Sequence, residues 1–149
     1  MEHALLEEIP VIENILAKRY ATMPLKVLWT EKNKIILERR FWISALTALK
    51  NLGIQIPQEA IESYERTVNI VNLASIEKRE GITGHDVKAR IEEFNARAGY
   101  EYIHIGFTSR DLTDNIEQFQ ILSSLKMMRD KSVAVLAQFI WNACEYTAL

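Results

Sequence analysis

Residues that stop a helix are scarce in this chain: its 149 residues include five glycines and three prolines, and neither type occurs between Phe107 and Leu149. A β-sandwich or barrel needs frequent tight turns, for which Gly and Pro are the usual material. The scarcity therefore predicts an all-α fold. The C-terminal run sharpens this. Read as one helix from Asp111 to about Ala148, it has a length of roughly 57 Å at 1.5 Å per residue. A chain of this size cannot cover such a helix by itself. It calls for partner helices, from further copies or from further chain.

Helix signals recur upstream. The segment Leu5 to Tyr20 has mixed helical character interrupted by Pro10, with one or two turns over Asn14 to Arg19, and Thr22-Met23-Pro24 reads as a break. Thr30 is an N-cap for a helix from Glu31 to Leu52, closed by Gly53. Ile35, Trp42, Leu46, Leu49 and Leu52 give that helix an apolar stripe. Pro57 opens a third helix running to about Ile70, continued through a bend by Val71 and Ile76 and broken at Gly81. A shorter helix covers His85 to Ala98 and ends at Gly99. Tyr100 to Ser109 reads as an extended loop. On the long helix, Leu112, Ile116, Phe119, Leu122 and Leu125 mark one face.

Net charge is −2 and hydrophobic residues make up 48% of the chain. Neither a nucleic-acid binder nor a membrane-surface binder is expected from so weak a field, and no apolar run reaches the ~20 residues a membrane span needs. The acidic start, Met1-Glu2-His3-Ala4-Leu5-Leu6-Glu7-Glu8, lacks the basic region of a secretory signal. A single cysteine, Cys144, suits a reducing, cytoplasmic setting and reads as a small buried hydrophobe. No CxxC, HExxH, Gly-rich phosphate loop or G-x-S-x-G elbow occurs, so neither a metal nor a cofactor is expected.

Two segments stand out as places for chemistry: Gly84-His85-Asp86-Val87 and His104-Ile105-Gly106-Phe107-Thr108-Ser109-Arg110-Asp111. Each puts polar residues where a helix begins, and a helix N-terminus offers unpaired N–H groups and partial positive charge to an anion. His85 and Asp86 are candidates to line such a site; the bland alternative is a solvated His beside an ordinary first-turn acid. Thr108 three residues before Asp111 resembles a capping box. A cap explains one hydroxyl and leaves Ser109 for a ligand oxygen. Arg19, followed by Tyr20, can fork a phosphate, although an Arg at a helix end is usually a surface charge. His104, among apolar neighbours, reads as a satisfied core histidine. Phe41, Trp42 and Trp141 read as packing residues.

Four blocks, in order, resemble the N-terminal part of the adenylosuccinate lyase family of the fumarase/aspartase superfamily. They are Leu16-Ala17-Lys18-Arg19-Tyr20-Ala21, the helix around Arg39-Arg40-Phe41-Trp42, Glu77-Lys78-Arg79 through Gly84-His85-Asp86-Val87, and His104-Ile105-Gly106-Phe107-Thr108-Ser109. Asp114-Asn115 then lead into the long helix, as in that family. The resemblance implies an N-terminal helical domain over residues 1–110 and the first long helix of a central bundle over 111–149. It implies a cofactor-free elimination of fumarate from adenylosuccinate, giving AMP, and from the succinylated aminoimidazole carboxamide ribotide of purine synthesis. A base takes a proton from the succinyl carbon, an acid protonates the departing nitrogen, and preset donors stabilise the charge between.

Carried over by position, the resemblance implies that Arg19 and Tyr20 contact the nucleotide phosphate. His85 and Asp86 line the substrate site, with His85 as the one possible catalytic group here, and Thr108 and Ser109 bond a succinyl carboxylate. Where many relatives have Arg, this chain has Gly84. The family's acid-bearing Thr-His motif and its Ser-Ser-x-Met-Pro loop do not occur in the sequence. The 149 residues alone are therefore expected to lack lyase activity, and the full-length enzyme is expected to be a homotetramer. The alternatives are a lyase of the same superfamily for another succinyl substrate, and a non-catalytic helical module that oligomerises or binds through its long helix.

Overall fold

A computed structural model describes residues 14–147. Of the first predicted segment, residues 5–13 with Pro10 lie outside the described residues, as do positions 148 and 149. Among the described residues the chain is all-α: α1 (Ile15–Tyr20), α2 (Met23–Leu28), α3 (Glu31–Asn51), α4 (Gln58–Thr67), α5 (Leu73–Thr83), α6 (Asp86–Ala98) and α7 (Ser109–Tyr146).

Local capping explains most of the boundaries. The Thr30 hydroxyl accepts the Asn33 N–H at the start of α3. At its end Gly53 takes a left-handed φ of 94°, and the Gly53 and Ile54 N–H groups bond back to Lys50 and Leu49. That doubled return satisfies carbonyls the helix leaves unpaired. At the N-termini of α1 and α5 the Asn14 and Asn72 side chains accept backbone N–H groups, as Thr30 does.

Three predictions are corrected. Thr22-Met23-Pro24 is a break and also a beginning: Thr22 is extended, and Pro24 lies in the first turn of α2, where a missing N–H costs nothing. The third helix does not bend through Val71; it stops at Thr67, and Asn72 caps a new one. Gly81 does not end that element either. It lies inside α5, and the stop is Gly84, whose φ of 63° is left-handed.

The main core gathers Trp42 and Leu46 of α3, Ile61 and Tyr64 of α4, Val87, Phe94 and Ala98 of α6, Ile103 of the following loop, and Leu112 and Ile116 of α7. A smaller cluster, Ile35, Ile76 and Ala89, fixes α5 against α3 and α6. Between them runs buried charge. Arg39 pairs with Glu93 while its Nη1 reaches the carbonyls of Thr67, Val68 and Ile70, each at 3.1 Å. The guanidinium lies 4.4 Å from the Phe94 ring centroid. One side chain thus terminates α4 and ties it to α6, a use suited to a planar, permanently charged fork.

Only the first part of α7 is packed. Leu112, Ile116 and Gln120, four apart, are its buried residues. The Gln120 amide donates to the Leu28 carbonyl at 2.7 Å, and Trp29 Nε1 donates to Ser124 Oγ at 2.9 Å. Of the expected apolar stripe only Leu112 and Ile116 are buried; Phe119, Leu122 and Leu125 are exposed, because the buried face runs on through Gln120 instead. Trp141 is 59% exposed and Cys144 is exposed, so neither packs as expected, because no residue of α7 after Gln120 is buried. No helix among the described residues is long and apolar enough to cross a membrane.

Candidate functional site

The two segments that stand out in the sequence meet in space. Gly84 turns the chain sharply after α5, and the Thr83 hydroxyl stitches the turn by accepting the His85 N–H at 3.3 Å. His85 then becomes the N-cap of α6, extended at φ −146°, with its ring Nδ1 accepting the Lys88 N–H at 3.4 Å. From the other side comes the start of α7. Thr108 caps it in a reciprocal box: Thr108 Oγ1 accepts the Asp111 N–H at 3.3 Å, and Asp111 Oδ2 accepts the Thr108 N–H at 2.7 Å. The capping geometry places Ser109 in the first turn, and its Oγ lies 3.5 Å from His85 Nε2, across 24 positions of sequence.

The hydroxyls divide their labour. Thr108 also donates its hydroxyl proton to Asp111 Oδ2 at 3.0 Å, so both of its polar functions serve the cap. Ser109 makes no backbone cap and faces His85. Asp111 is held below the usual carboxylate range chiefly by the Thr108 N–H and then by the Thr108 hydroxyl.

Asp86 links this pair to the interior. Its Oδ1 is 3.5 Å from His85 Nδ1, and its Oδ2 accepts from Arg90 Nη2 at 2.5 Å. Burial raises its pKa, but the Val87 N–H and the Arg90 charge outweigh this and lower it. In a neutral His85 carrying its proton on Nε2, Nδ1 accepts from Lys88 and Nε2–H points to Ser109. In the imidazolium, Nδ1–H turns to Asp86. Both protonation states therefore have partners in place.

His104 is the residue that sequence reasoning assigned to the core. It is half-buried, and its Nδ1 accepts the Trp42 indole N–H at 3.0 Å. Burial lowers its pKa, with Asp111 opposing and His85 adding to the fall. His104 is the one described non-glycine residue with positive φ, 66°. Such a conformation costs an L-residue roughly 1–2 kcal/mol and concentrates at functional positions. The signal available in the sequence was Gly106 two residues on, also left-handed at 78°, marking a tight turn that carries His104 inward. Phe107 packs edge-on against Phe41, with centroids 5.5 Å apart.

Arg19 and Tyr20 are not part of this cluster. They lie on α1, which buries none of its residues, and Tyr20 is 73% exposed. Among the described residues no three His, Cys, Asp or Glu side chains gather as a metal site. What the geometry offers is two helix N-termini that meet at one imidazole and one hydroxyl outside the caps' backbone bonds, an arrangement suited to holding an anion and moving a proton.

No family model matches the sequence. Curated proteins do. The chain is 31% identical over 141 residues to the adenylosuccinate lyase of Saccharomyces cerevisiae, which covers 90% of this chain and 29% of that protein. It is 35% identical over 126 residues to that of Methanothermobacter thermautotrophicus (79% and 27%) and 34% identical over 119 to that of Methanocaldococcus jannaschii (76% and 25%). The chain spans less than a third of the length of these relatives. Over most of its own length, then, it is a sequence relative of one segment of the adenylosuccinate lyases.

Proposed function

We infer that the chain is the N-terminal part of a carbon–nitrogen lyase that eliminates fumarate from adenylosuccinate, giving AMP, and from the succinylated aminoimidazole carboxamide ribotide. The observation that carries this is the meeting of His85 and Ser109, 3.5 Å apart at two helix N-termini, in a chain whose relatives bear that enzyme's name. The substrate's succinyl carboxylates are the anions such a pair of termini favours.

The residues take the following parts. Ser109 bonds a succinyl carboxylate through its hydroxyl, and Thr108 helps by aiming the first N–H groups of α7. His85 lines the site and holds a proton near the reacting carbons, oriented by Asp86. Arg19 and Tyr20 supply the phosphate contact from α1. Residues 1–110 form the N-terminal domain and 111–149 the first helix of a bundle. The assembled enzyme is a cytoplasmic homotetramer of purine synthesis, its α7 face covered by partner helices, and the general acid and base lie on other chain or other copies.

The test is made on protein captured from its source cells with an antibody to this segment. A mass near three times 17.2 kDa, with release of AMP and fumarate from adenylosuccinate, is the expected result. Captured protein of any mass that leaves adenylosuccinate intact overturns the reading. In that event the exposed apolar face of α7 favours a module that self-associates.

A further inference from the structure

Among the described residues one fully buried acid makes no hydrogen bond. Glu38, in the middle of α3, is fully buried, and neither carboxylate oxygen has a hydrogen-bond partner among the described residues. Its companion is Arg90 of α6, whose Nε lies 3.0 Å from Glu38 Oε2, off hydrogen-bond geometry. Arg90 is itself buried, and its Nη2 reaches out to Asp86 at the edge of the candidate site. Burial of a poorly satisfied carboxylate is costly, and hydrophobic packing there would serve stability as well or better. The arrangement thus asks for a purpose other than stability.

We propose that Arg90 is a positioning residue of the site: seated on the buried Glu38, it grips one oxygen of Asp86 so that the other is presented to the His85 ring. The inference rests on the ligand-binding reading given above, and it explains why a buried acid should stand beneath that site. Arg90 is one helical turn after Asp86 on α6, which sets the grip. Glu38, from another helix, lies against the Nε side of the guanidinium while Nη2 holds Asp86, so the planar fork is flanked by two carboxylates. Asp86 Oδ1 is thereby held 3.5 Å from His85 Nδ1. The charges facing Glu38 are Lys34 and Arg39 on its own helix and Asp86 and Arg90 on α6. Its carboxyl is pushed up by burial to about 7, so the anchor changes charge near neutrality and Asp86 feels that step.

Carboxyl-detected NMR titration of the 149-residue chain tests this. In the wild type, the Asp86 side-chain carbon is expected to show two steps, its own and one shared with Glu38. Arg90→Gln should raise the Asp86 midpoint by about one unit and leave Asp111, which does not touch Arg90, where it was. Glu38→Gln should erase the shared step. A folded Arg90→Gln protein with an unmoved Asp86 midpoint overturns the proposal. Should that variant lose its amide dispersion, the near-isosteric Glu38→Gln decides, and persistence of the second Asp86 step overturns the proposal. AMP added to the wild type, read on the His85 and Ser109 amides, tests the ligand reading by itself. Unmoved amides with a raised Asp86 midpoint in Arg90→Gln remove the nucleotide and leave the role of Arg90 standing.

Discussion

The Trp42 indole N–H donates to His104 Nδ1 over 3.0 Å, from a residue of the core to one in the loop before α7. Because Nδ1 is the acceptor, a neutral His104 carries its proton on Nε2. The rings meet edge to face, centroids 5.9 Å apart, which aligns the donor with the lone pair. A tryptophan usually taken as packing therefore sets the tautomer of an imidazole 62 positions later.

Trp42→Phe keeps most of the buried ring and removes the donor. Nitrogen NMR of the labelled imidazole should change from a single Nε2–H form to a mixture. Stability should fall by roughly 1–3 kcal/mol, the cost of a buried polar atom left unpaired. A folded variant that keeps the single form would show that something other than Trp42 sets it.

Glu38 and His104 give opposite pH signatures over one range. The folded pKa of Glu38 is about 7 against 4.5 when free. Its contribution is therefore fully present below pH 4.5 and lost as pH rises through 7; a shift of this size corresponds to roughly 3 kcal/mol. His104, lowered by burial, does the reverse: its contribution is present above its free value of 6.5 and lost as pH falls through the folded one. Glu38→Gln cancels the first and leaves the second. Urea unfolding at pH 5 and pH 8 should show the variant gaining on the wild type by that order. An unchanged difference between the two would mean that Glu38 ionises as it does in the unfolded chain.

Arg39→Gln strands a buried carboxylate and three carbonyls at once. Breaking a buried pair from one side costs about 3–5 kcal/mol, and the marginal stability of a domain leaves little room for that. The thermal midpoint should fall steeply, with α4 the first helix to lose amide protection. Arg39→Lys should rescue little, since a point charge cannot span the Glu93 carboxylate and the carbonyls at the end of α4.

Much of this was legible from short-range pattern. Thr30, His85 with Gly99, and the Thr108–Asp111 box each act within four residues, and caps are written in that alphabet. Gly81 and Gly84 show where the alphabet runs out. Both are helix breakers by type, and only the turn into α6 decides that Gly84 is the one in the left-handed conformation. The Arg39–Glu93 pair spans 54 positions, and nothing in local spacing joins them. The partner of His104 is equally distant: its apolar neighbours suggest a satisfied histidine, and the group that satisfies it is Trp42, 62 positions earlier. Trp141 and Cys144 looked buried because periodicity reports a face and not what covers it.

Thr108→Val tests how much the cap matters. Losing it should cost about 1 kcal/mol and free Asp111, whose contribution is present above its ordinary value of 3.8 and lost as pH falls through its lower folded value. Amide exchange should rise in the first turn of α7 and carry Ser109 away from His85. Exchange confined to the far end of α7 would mean that packing of Leu112 and Ile116 seats the helix without its cap.

α7 is one unbroken rod held at one end. Its seat extends to Ser124, which Trp29 holds, so the free part is a rod of roughly 33 Å, and a tilt of about five degrees at that seat carries Tyr146 through roughly 3 Å. The hydroxyl facing His85 and the far apolar end are points on a single lever.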